Sequence, residues 1–332
     1  MRKKIGIVGF RGYSGAELVS ITARHPGVER VLLEHRSDAE GTAGPGERLR
    51  TVPCTPEAFR AEGFAAVFLA TPAEVSIELA PWMLDAGAKI IDLSGAFRLR
   101  TPERYRRWYK QEHTQPALLA EAAFGLPEMY RERVRGARLI ANPGCYPTAA
   151  TLAIAPLVEC GIADRAAGII CDAKSGVSGA GRKPSLKTHF CEAAENFSAY
   201  SILEHRHVPE ILLNCGLEES ELSFTAQLLP VTRGILETVY FRTRLASVDE
   251  LFAVYEKRYA GELFVRIWKP PHVPDLRAVA RTNFCDIGVR LDAATGRAVV
   301  VAAIDNLVKG AAGQAVQNMN LALGFPETEA LL

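Results

Sequence analysis

One cysteine is distinguished from the other six in this chain by its neighbours. Cys145 follows Asn-Pro-Gly and precedes Tyr-Pro in "LIANPGCYPT", where the stiff backbone presents the thiol on a corner. A reactive cysteine needs an electropositive setting or a paired base, because the thiolate is the nucleophile. A predicted helix also follows Cys145, and the field at a helix N-terminus favours a thiolate. The segment predicts a nucleophile, with a small buried residue in a turn as the alternative.

The segment "EHRHVPEI" offers candidate bases for that thiol. His205 and His207 are two residues apart, so in an extended segment they share a face and line one site. Pro209 at a helix start fixes the direction of His207, and Glu210 is placed to orient or charge-stabilise an imidazole. The spacing leaves three interpretations open: a Cys/His catalytic pair, structural histidines, or a Cys/His metal site.

A glycine-rich turn near the N-terminus predicts a dinucleotide site. Gly9, Gly12 and Gly15 follow a predicted strand and open a predicted helix that also holds Tyr13 and Ser14. Glycine suits a backbone that turns tightly and approaches a pyrophosphate, and the helix N-terminus supplies unpaired N–H groups. The spacing is G-x-x-G-x-x-G rather than G-x-G-x-x-G, so a tight β–α connection without a ligand is the alternative.

The end of the second predicted strand, "LLEHRS", should choose between NAD and NADP. An acid there binds the ribose hydroxyls of NAD, whereas a cation binds the 2′-phosphate of NADP. Arg36 and Ser37 lie where the chain leaves the strand and favour NADP; Glu34 on the ribose is the alternative. Thr71 and Pro72 follow another strand and are predicted to lie over the pyrophosphate or ribose, because strand C-termini face the ligand crevice.

A nicotinamide site combined with a thiolate limits the reactions that the protein can be expected to catalyse. Hydride transfer interconverts aldehyde and acyl levels when the carbonyl carbon carries a suitable group, which a cysteine provides as a thiohemiacetal or thioester. Aldehyde dehydrogenases and phosphorylating dehydrogenases or reductases use this chemistry.

The elements that must position these residues predict an α/β fold in two parts. Before about residue 145, strands and helices alternate and the strands are continuously apolar, which is typical of a parallel sheet covered on both faces. After about residue 150 the strands have alternating or β-branched content, which predicts an α+β domain with a mixed or antiparallel sheet. The small-residue-rich helix near the C-terminus is predicted to return to the first domain.

Composition excludes several classes of protein. The chain has 332 residues, enough for two domains, and a net charge of +1, which gives no electrostatic footprint for nucleic acid or a membrane surface. It has no run of about 18 apolar residues. Its seven cysteines are irregularly spaced without a C-x-x-C pair, which favours reduced thiols, and "MRKKIGIVGF" begins a strand at once. We predict a cytoplasmic protein without nucleic-acid or membrane partners.

In several segments along essentially its whole length, the chain resembles the N-acetyl-gamma-glutamyl-phosphate reductases of arginine biosynthesis. The combination of "NPGCYPTA" with "HRHxPEI" separates it from the related aspartate-semialdehyde and glyceraldehyde-phosphate dehydrogenases. The segments that carry the resemblance occur in the family's order: "GIVGFRGYSGAEL", "DLSGAFRL", "ANPGCYPTAATLAIAPL", "DAKSGVSGAGR", "EHRHVPEI", "LLPVTRGI" and "DNLVKGAAGQAVQNMN".

The resemblance implies NADPH-dependent reduction of an acyl phosphate by an oxidoreductase of amino-acid biosynthesis. Cys145 would attack the acyl phosphate, release inorganic phosphate and hold a thioester, which hydride converts to N-acetylglutamate semialdehyde. His207 resembles the family's general acid/base, with His205 and Glu210 in support. No step requires a metal.

The resemblance also implies a domain organisation. Residues 1–145 would form a Rossmann NADP-binding domain that is completed by the C-terminal helix at 306–332. Residues 146–305 would form the catalytic domain, which also mediates oligomerisation to a homotetramer or dimer.

Further roles follow from the charge of the substrate, which carries a phosphate and a carboxylate. Guanidinium groups bind both bidentately, so Arg98 and Arg182 are predicted to bind substrate, with salt bridges as the alternative. Ser175 is predicted to bring backbone N–H groups near a phosphate or the oxyanion, and we group it with the cofactor-binding residues. Asn318 is predicted to meet the nicotinamide carboxamide, with helix packing as the alternative.

Three rival functions stay open. Two are related enzymes, the reductase of carrier-linked aminoadipyl phosphate in lysine biosynthesis and aspartate-semialdehyde dehydrogenase. The first substrate is one methylene longer, a difference worth only about 1–3 kcal/mol in a pocket. The third rival is a non-catalytic NADP-binding redox sensor in which Cys145 is a signalling thiol.

Overall fold

The computed structural model describes residues 2–35 and 49–332. Contacts divide the chain into a first unit, Met1–Gly144 with Ala311–Leu332, and a second unit, Cys145–Gly310. The division lies directly before the candidate nucleophile. Arg36 and Ser37, the residues predicted to select NADP, lie outside the described residues.

Apolar strands build the centre of the first unit. Its strands, as far as the structure describes them, are β1 (Lys3–Val8), β2 (Val28–Glu34), β3 (Thr51–Pro53), β4 (Ala66–Leu69), β5 (Lys89–Asp92), β6 (Ala123–Phe124) and β7 (Leu139–Ala141). They form one parallel sheet in the order β3-β2-β1-β4-β5-β7-β6. The order reverses between β1 and β4, and in such sheets ligands bind outside the strand C-termini at that point.

Helices account for the continuous apolar character of these strands. Ile5, Ile7, Val67 and Phe68 are all 0% exposed, although neighbouring side chains on a strand point to opposite faces. The helices of the described part of this unit are α1 (Tyr13–Thr22), α2 (Pro56–Glu62), α3 (Ala73–Asp85), α4 (Pro102–Tyr109), α5 (Pro116–Glu121), α6 (Pro127–Gly136) and α12 (Gly313–Leu323). A π-helical turn, Val308–Ala312, precedes α12.

The second unit, all of which the structure describes, holds a mixed sheet. Its strands are β8 (Ile169–Gly176), β9 (Ser198–Tyr200), β10 (Leu222–Leu229), β11 (Ile235–Arg242), β12 (Val265–Trp268), β13 (Cys285–Asp292) and β14 (Arg297–Ile304). They lie in the order β12-β13-β14-β11-β8-β10-β9. Strands β8 and β10 pair in parallel, whereas β11 pairs with β8 and β14 in antiparallel fashion. The predicted hairpin at "DAATG" is confirmed, because β13 pairs with β14 up to Asp292 and Arg297.

One face of the mixed sheet is covered by helices. The helices of the second unit are α7 (Cys145–Glu159), α8 (Phe190–Ala193), α9 (Val208–Cys215), α10 (Val248–Arg258) and α11 (Leu276–Val279), with 3-10 turns at Arg165–Ala167, Val177–Ala180, Leu186–Thr188 and Glu219–Glu221. Helix α7 packs on β11 and β14 and is apolar enough to be almost wholly buried. On the opposite face Ile170 and Tyr240 are 51% and 42% exposed.

The two sheets confirm the predicted fold class, a parallel α/β sheet followed by a mixed α+β sheet. No helix in residues 2–35 and 49–332 is both long and apolar enough to cross a membrane.

Candidate active site

Cys145 is the first residue of α7, a helix of 15 residues. Its thiol is half-buried, and the first N–H groups of a helix have no intrahelical acceptor, so the partial positive charge there favours a thiolate. Gly310 makes room for it: a Cβ at Gly310 would lie 2.9 Å from the Cβ of Cys145. Any side chain at position 310 would therefore displace the candidate nucleophile.

Two imidazoles lie beside the start of α7. His205 and His207 are each 7% exposed, and their ring centroids are 4.8 Å apart. The ring of Tyr146, the residue after Cys145, contacts both, at 5.4 Å from His205 and 6.0 Å from His207. The structure therefore brings together the thiol-bearing corner and the histidine pair that are far apart in sequence.

His205 is held as a neutral acceptor. The backbone N–H of His207 donates to Nδ1 of His205 at 3.2 Å, which requires that nitrogen to be unprotonated. Burial, with the positive charge of Arg206 as a second cause, lowers the pKa of His205 to about 4. His205 therefore fixes the backbone of its neighbour and carries no charge at neutral pH.

Helix α9 fixes the direction of His207. His207 is the N-cap residue, a proline stands in the first turn, and Gly216 ends the helix with a φ of +65°. Glu210, also in the first turn, is 0% exposed. The predicted helix start at "HVPEI" is confirmed, because Pro209 favours that position.

A tyrosine pair closes one side of the site. The hydroxyl of Tyr146 donates to the carbonyl oxygen of Gln227 at 3.0 Å and lies 3.2 Å from Oη of Tyr200. Burial raises the pKa of Tyr146 well above its ordinary value and that of Tyr200 to about 12. Both hydroxyls therefore keep their protons at neutral pH and act as hydrogen-bond donors.

These groups line one cavity of about 430 Å³ in the second unit. Cys145, His205, His207 and Ser175 all contribute to its wall. The remaining lining residues come from segments around 179–188 and 198–206 and from Leu228. No group of three or more His, Cys, Asp or Glu side chains able to hold a metal ion occurs among the described residues.

The three amides that follow Ser175 in the loop after β8 are engaged within the protein. Ser175 is 2% exposed and its hydroxyl donates to the carbonyl of Gly176 at 3.1 Å. The N–H groups of Gly176, Val177 and Ser178 donate to carbonyls of residues 231–234 at 2.8–3.1 Å. These three amides brace the loop, whereas Gly179 and Ala180 of the same loop line the cavity, and the role of Ser175 stays a prediction.

The two cations that line the cavity are not among the arginines predicted to bind substrate. Arg182 is exposed and is not among the lining residues, whereas Lys187 and Arg206 are. Arg206 stands between the two histidines of "HRH", which is a local signal that sequence reasoning overlooked. Lys187 lies in a 3-10 turn at Leu186–Thr188 that has no motif signature, so only the fold reveals it.

The glycine turn belongs to the first unit. Gly9 has a φ of +76°, and a Cβ there would lie 2.2 Å from the carbonyl oxygen of Ala70. A Cβ at Gly15 would lie 2.1 Å from the carbonyl oxygen of Gly9. A Cβ at Gly12 meets nothing closer than 3.4 Å, so packing explains Gly9 and Gly15 but not Gly12.

The N-terminus of α1 has the features of a phosphate site. Gly12 is its N-cap and no side chain caps the first turn, which leaves backbone N–H groups for an anion. Tyr13 is 42% exposed and Ser14 is half-buried in that turn. Thr71 and Pro72 follow β4, the strand paired with β1, and the Thr71 hydroxyl lies 2.8 Å from that of Ser76.

An ion pair occupies the end of β2. Glu34 accepts from Nη2 of Arg11 at 2.8 Å. The carboxylate of the predicted NAD-type alternative is therefore already paired with a cation from the glycine turn.

Two more predicted residues of the first unit are buried and hydrogen-bonded. Arg98 is 7% exposed and donates to the carbonyl oxygens of Asn142 and Leu93 at 2.8 and 2.7 Å. Asn318 is 0% exposed, and its Nδ2 donates to Gly125 O at 2.8 Å and Asn142 Oδ1 at 3.0 Å. Oδ1 of Asn318 has no hydrogen-bond partner in the described part of the chain.

Comparisons with known proteins agree with this architecture. A family model described as "Semialdehyde dehydrogenase, NAD binding domain" matches residues 4–137. A second, "Semialdehyde dehydrogenase, dimerisation domain", matches residues 145–306.

Curated relatives match along the whole chain. A protein of Symbiobacterium thermophilum named N-acetyl-gamma-glutamyl-phosphate reductase is 47% identical over 344 residues, covering 100% of this chain and 98% of the relative. One of the same name from Moorella thermoacetica is 48% identical over 341 residues, covering 99% and 97%.

Solved structures share the fold. Aspartate semialdehyde dehydrogenase II of Vibrio cholerae, complexed with ASA, has a TM-score of 0.72 at 20% identity, covering 98% of this chain and 99% of that one. Aspartate semialdehyde dehydrogenase with NADP from Candida albicans has a TM-score of 0.69 at 16% identity, covering 97% and 98%.

Proposed function

This chain belongs to the N-acetyl-gamma-glutamyl-phosphate reductase family, and from that membership we propose the mechanism by which it acts. The reaction is the NADPH-dependent reduction of N-acetyl-gamma-glutamyl phosphate to N-acetylglutamate 5-semialdehyde with release of inorganic phosphate. The likeness to named reductases over the whole chain carries the function. The half-buried thiol at the start of α7 supports the mechanism.

Cys145 is the nucleophile in this mechanism. Its thiolate attacks the carbonyl carbon of the acyl phosphate, a C–S bond forms, and the C–O bond to phosphate breaks. The thioester that remains on Cys145 is at the acyl level, so the carbon can accept hydride. Bound NADPH supplies that hydride. Collapse of the Cys145 thiohemiacetal then releases the semialdehyde and the thiolate, which takes a proton from solvent before the next turnover.

His207 moves the proton. It takes the proton of the Cys145 thiol and gives it to the phosphate oxygen as the C–O bond breaks, so phosphate does not leave as a trianion. His205 acts through His207 as a positioning residue, since its Nδ1 accepts from the His207 N–H. Glu210, buried in the first turn of α9, is proposed to stabilise the imidazolium.

The described residues of the first unit fit the cofactor. The uncapped first turn of α1 provides N–H donors for the pyrophosphate, and the missing Cβ of Gly12 lets the backbone approach it. The buried Oδ1 of Asn318 has the chemistry to accept from the nicotinamide carboxamide. Thr71 and Pro72, at the end of β4, are proposed to lie over the pyrophosphate or ribose.

Cofactor preference tests the assignment at the end of β2. Arg36→Ala should lower the ratio of kcat/KM with NADPH to that with NADH, because the 2′-phosphate loses a charged partner. Glu34→Gln is the matched control and should leave the ratio unchanged, since Glu34 is paired with Arg11. An unchanged ratio in Arg36→Ala would refute the assignment.

Substrate preference tests the function. We expect kcat/KM for N-acetyl-gamma-glutamyl phosphate to exceed that for the carrier-linked aminoadipyl and the aspartyl phosphates. A preference for either of these substrates would assign the related reaction to this protein instead. Absence of turnover with all three would favour a redox sensor.

Acyl trapping tests the nucleophile. Mass spectrometry after mixing enzyme and substrate without NADPH should show an acyl adduct on Cys145 and not on the exposed Cys160 or Cys191. An adduct elsewhere would remove Cys145 from the mechanism.

We also propose a cytoplasmic homotetramer or dimer. The uncovered face of the mixed sheet, with Ile170 and Tyr240 exposed, lies in the part of the chain that matches the family's dimerisation domain. A sheet face of this kind is stable when another layer covers it, and a second copy of the chain can supply that layer. Sedimentation should show an oligomer that Tyr240→Glu weakens.

A further inference from the structure

The cavity at Cys145 holds two cations that are not neutralised by the protein. Lys187 and Arg206 both line it. Glu204 lines it as well, but no ion pair within 4.0 Å joins a carboxylate to either cation in the described residues. The substrate of the proposed function carries two anionic groups, a phosphate on the reacting carbonyl and a carboxylate at the far end of its carbon chain. A site for it needs positive charge at two places.

Arg206 and the thiol share a neighbour. Burial is the main cause of the shifted pKa values of His205 and Tyr200, and the charge of Arg206 acts on both. The Cys145 thiolate also acts on the pKa of Tyr200. Arg206 stands between His205 and His207 in the chain and lines the same cavity as Cys145, Tyr146 and Tyr200. A phosphate bonded to the carbon that the thiol attacks must lie in this cavity.

Lys187 differs from Arg206 in its surroundings. It lines the Cys145 cavity and also a second cavity of about 260 Å³, and the two cavities share Lys187, Ser198, Tyr200 and Leu228. The second cavity contains neither the thiol nor the histidines. Lys187 therefore lies where the two cavities meet, whereas Arg206 lines only the cavity that contains the thiol.

From this arrangement we infer that Arg206 binds the phosphate of the substrate and that Lys187 binds its carboxylate. The assignment rests on the proposed function and gives it a specificity element. The guanidinium of Arg206 offers a planar fork to two phosphate oxygens, whereas the ammonium of Lys187 is a point charge that suits a carboxylate at the rim. Arg182, for which the sequence predicts a substrate contact, is not among the residues that line this cavity.

The reverse reaction separates the two anions into different molecules. N-acetylglutamate semialdehyde, inorganic phosphate and NADP are the reactants, so each anion has its own KM. Arg206→Gln should raise the KM for phosphate about 10- to 100-fold, the cost of losing a charge-assisted contact, and change the KM for the semialdehyde less than about twofold. Lys187→Gln should show the opposite pattern.

Matched variants keep the test decisive. Lys183→Gln removes an exposed positive charge that does not line the cavity and should change neither KM. Arg206→Lys keeps the charge without the fork and should fall between wild type and Arg206→Gln. Circular dichroism and thermal melting of each variant show that it is folded.

The outcomes are distinguishable. A folded, active Arg206→Gln with an unchanged KM for phosphate overturns the inference alone, and so does an equal rise of both KM values in either variant. Failure of the wild type to turn over these three reactants overturns the proposed function itself.

Discussion

The glycine turn of the first unit is proposed to bind its ligand through backbone N–H groups. The cavity of the second unit is instead lined by side chains from segments that are distant in the sequence. The turn uses consecutive residues from Gly9 to Gly15, and the groups proposed to bind the cofactor there are N–H groups of one helix start. The cavity gathers groups from residue 145, from around residues 175–188 and from around residues 198–207. A site of the first kind consists of neighbouring residues and can be recognised as a motif in the sequence. A site of the second kind depends on which segments the fold brings together.

This difference predicts how substitutions will affect each site. The turn is sterically closed, since a Cβ at Gly9 or Gly15 would meet the backbone at 2.2 and 2.1 Å. The wall of the cavity is built from side chains, several of which are exposed. Substitutions at Gly9 or Gly15 should therefore act through folding, and substitutions in the cavity should act on the reaction.

The largest effect is expected at the thiol. Cys145→Ala should lower kcat at least about 10⁴-fold, because no other group can hold the acyl intermediate. Its free energy of unfolding and its affinity for NADPH should change little, which a denaturation curve and a fluorescence titration can measure. Cys160→Ala, which removes an exposed thiol outside the cavity, is the control. Retention of phosphate-dependent activity in Cys145→Ala would show that the cavity does not act through the Cys145 thiol.

Stability should respond most at the turn. Gly9→Ala should cost about 2–5 kcal/mol in the free energy of unfolding, because alanine is strained at a φ of +76° and its Cβ would meet Ala70 O. Urea denaturation measures it. Gly12→Ala, where the nearest atom is 3.4 Å away, should cost less than about 1 kcal/mol but weaken NADPH binding at least about tenfold. Equal losses of stability in the two variants would contradict the steric argument.

The buried histidine makes stability depend on pH. The pKa of His205 is about 4 in the folded protein, mainly because it is buried, against an ordinary value near 6.5. Between these values the unfolded chain binds more protons, so stability falls as pH is lowered from about 6.5 to 4. The loss is up to about 3 kcal/mol. Denaturation at several pH values should show this slope in wild type and a shallower slope in His205→Gln.

The smallest effect is expected at the end of β2. Arg11 and Glu34 form an ion pair whose side chains are 25% and 50% exposed, so solvent screens it. Arg11→Gln should change the free energy of unfolding by less than about 1 kcal/mol. A larger loss in urea denaturation would show that the turn depends on side chains as well as on its backbone.

Most of the fold could be predicted because its signals are local. The apolar residues at 66–69 and at Ile90 and Ile91, and the alternation in 285–304, reflect strands buried on two faces or on one. The glycine turn, the thiol at a helix start and the helix at "HVPEI" are equally local. The hydrogen bonding of Gly176, Val177 and Ser178 to residues 231–234 was not predicted, because it is a long-range pairing.

Short motifs predict a thiol, a base and a dinucleotide turn in this protein, because each motif depends on residues that are neighbours in the chain. Tertiary structure alone decided which side chains surround the thiol. It buried His205 as a neutral acceptor and left Arg182 outside the cavity while Lys187 and Arg206 line it. The physical reason is that backbone conformation is fixed by neighbouring residues, whereas burial and charge depend on segments that meet only in the folded chain.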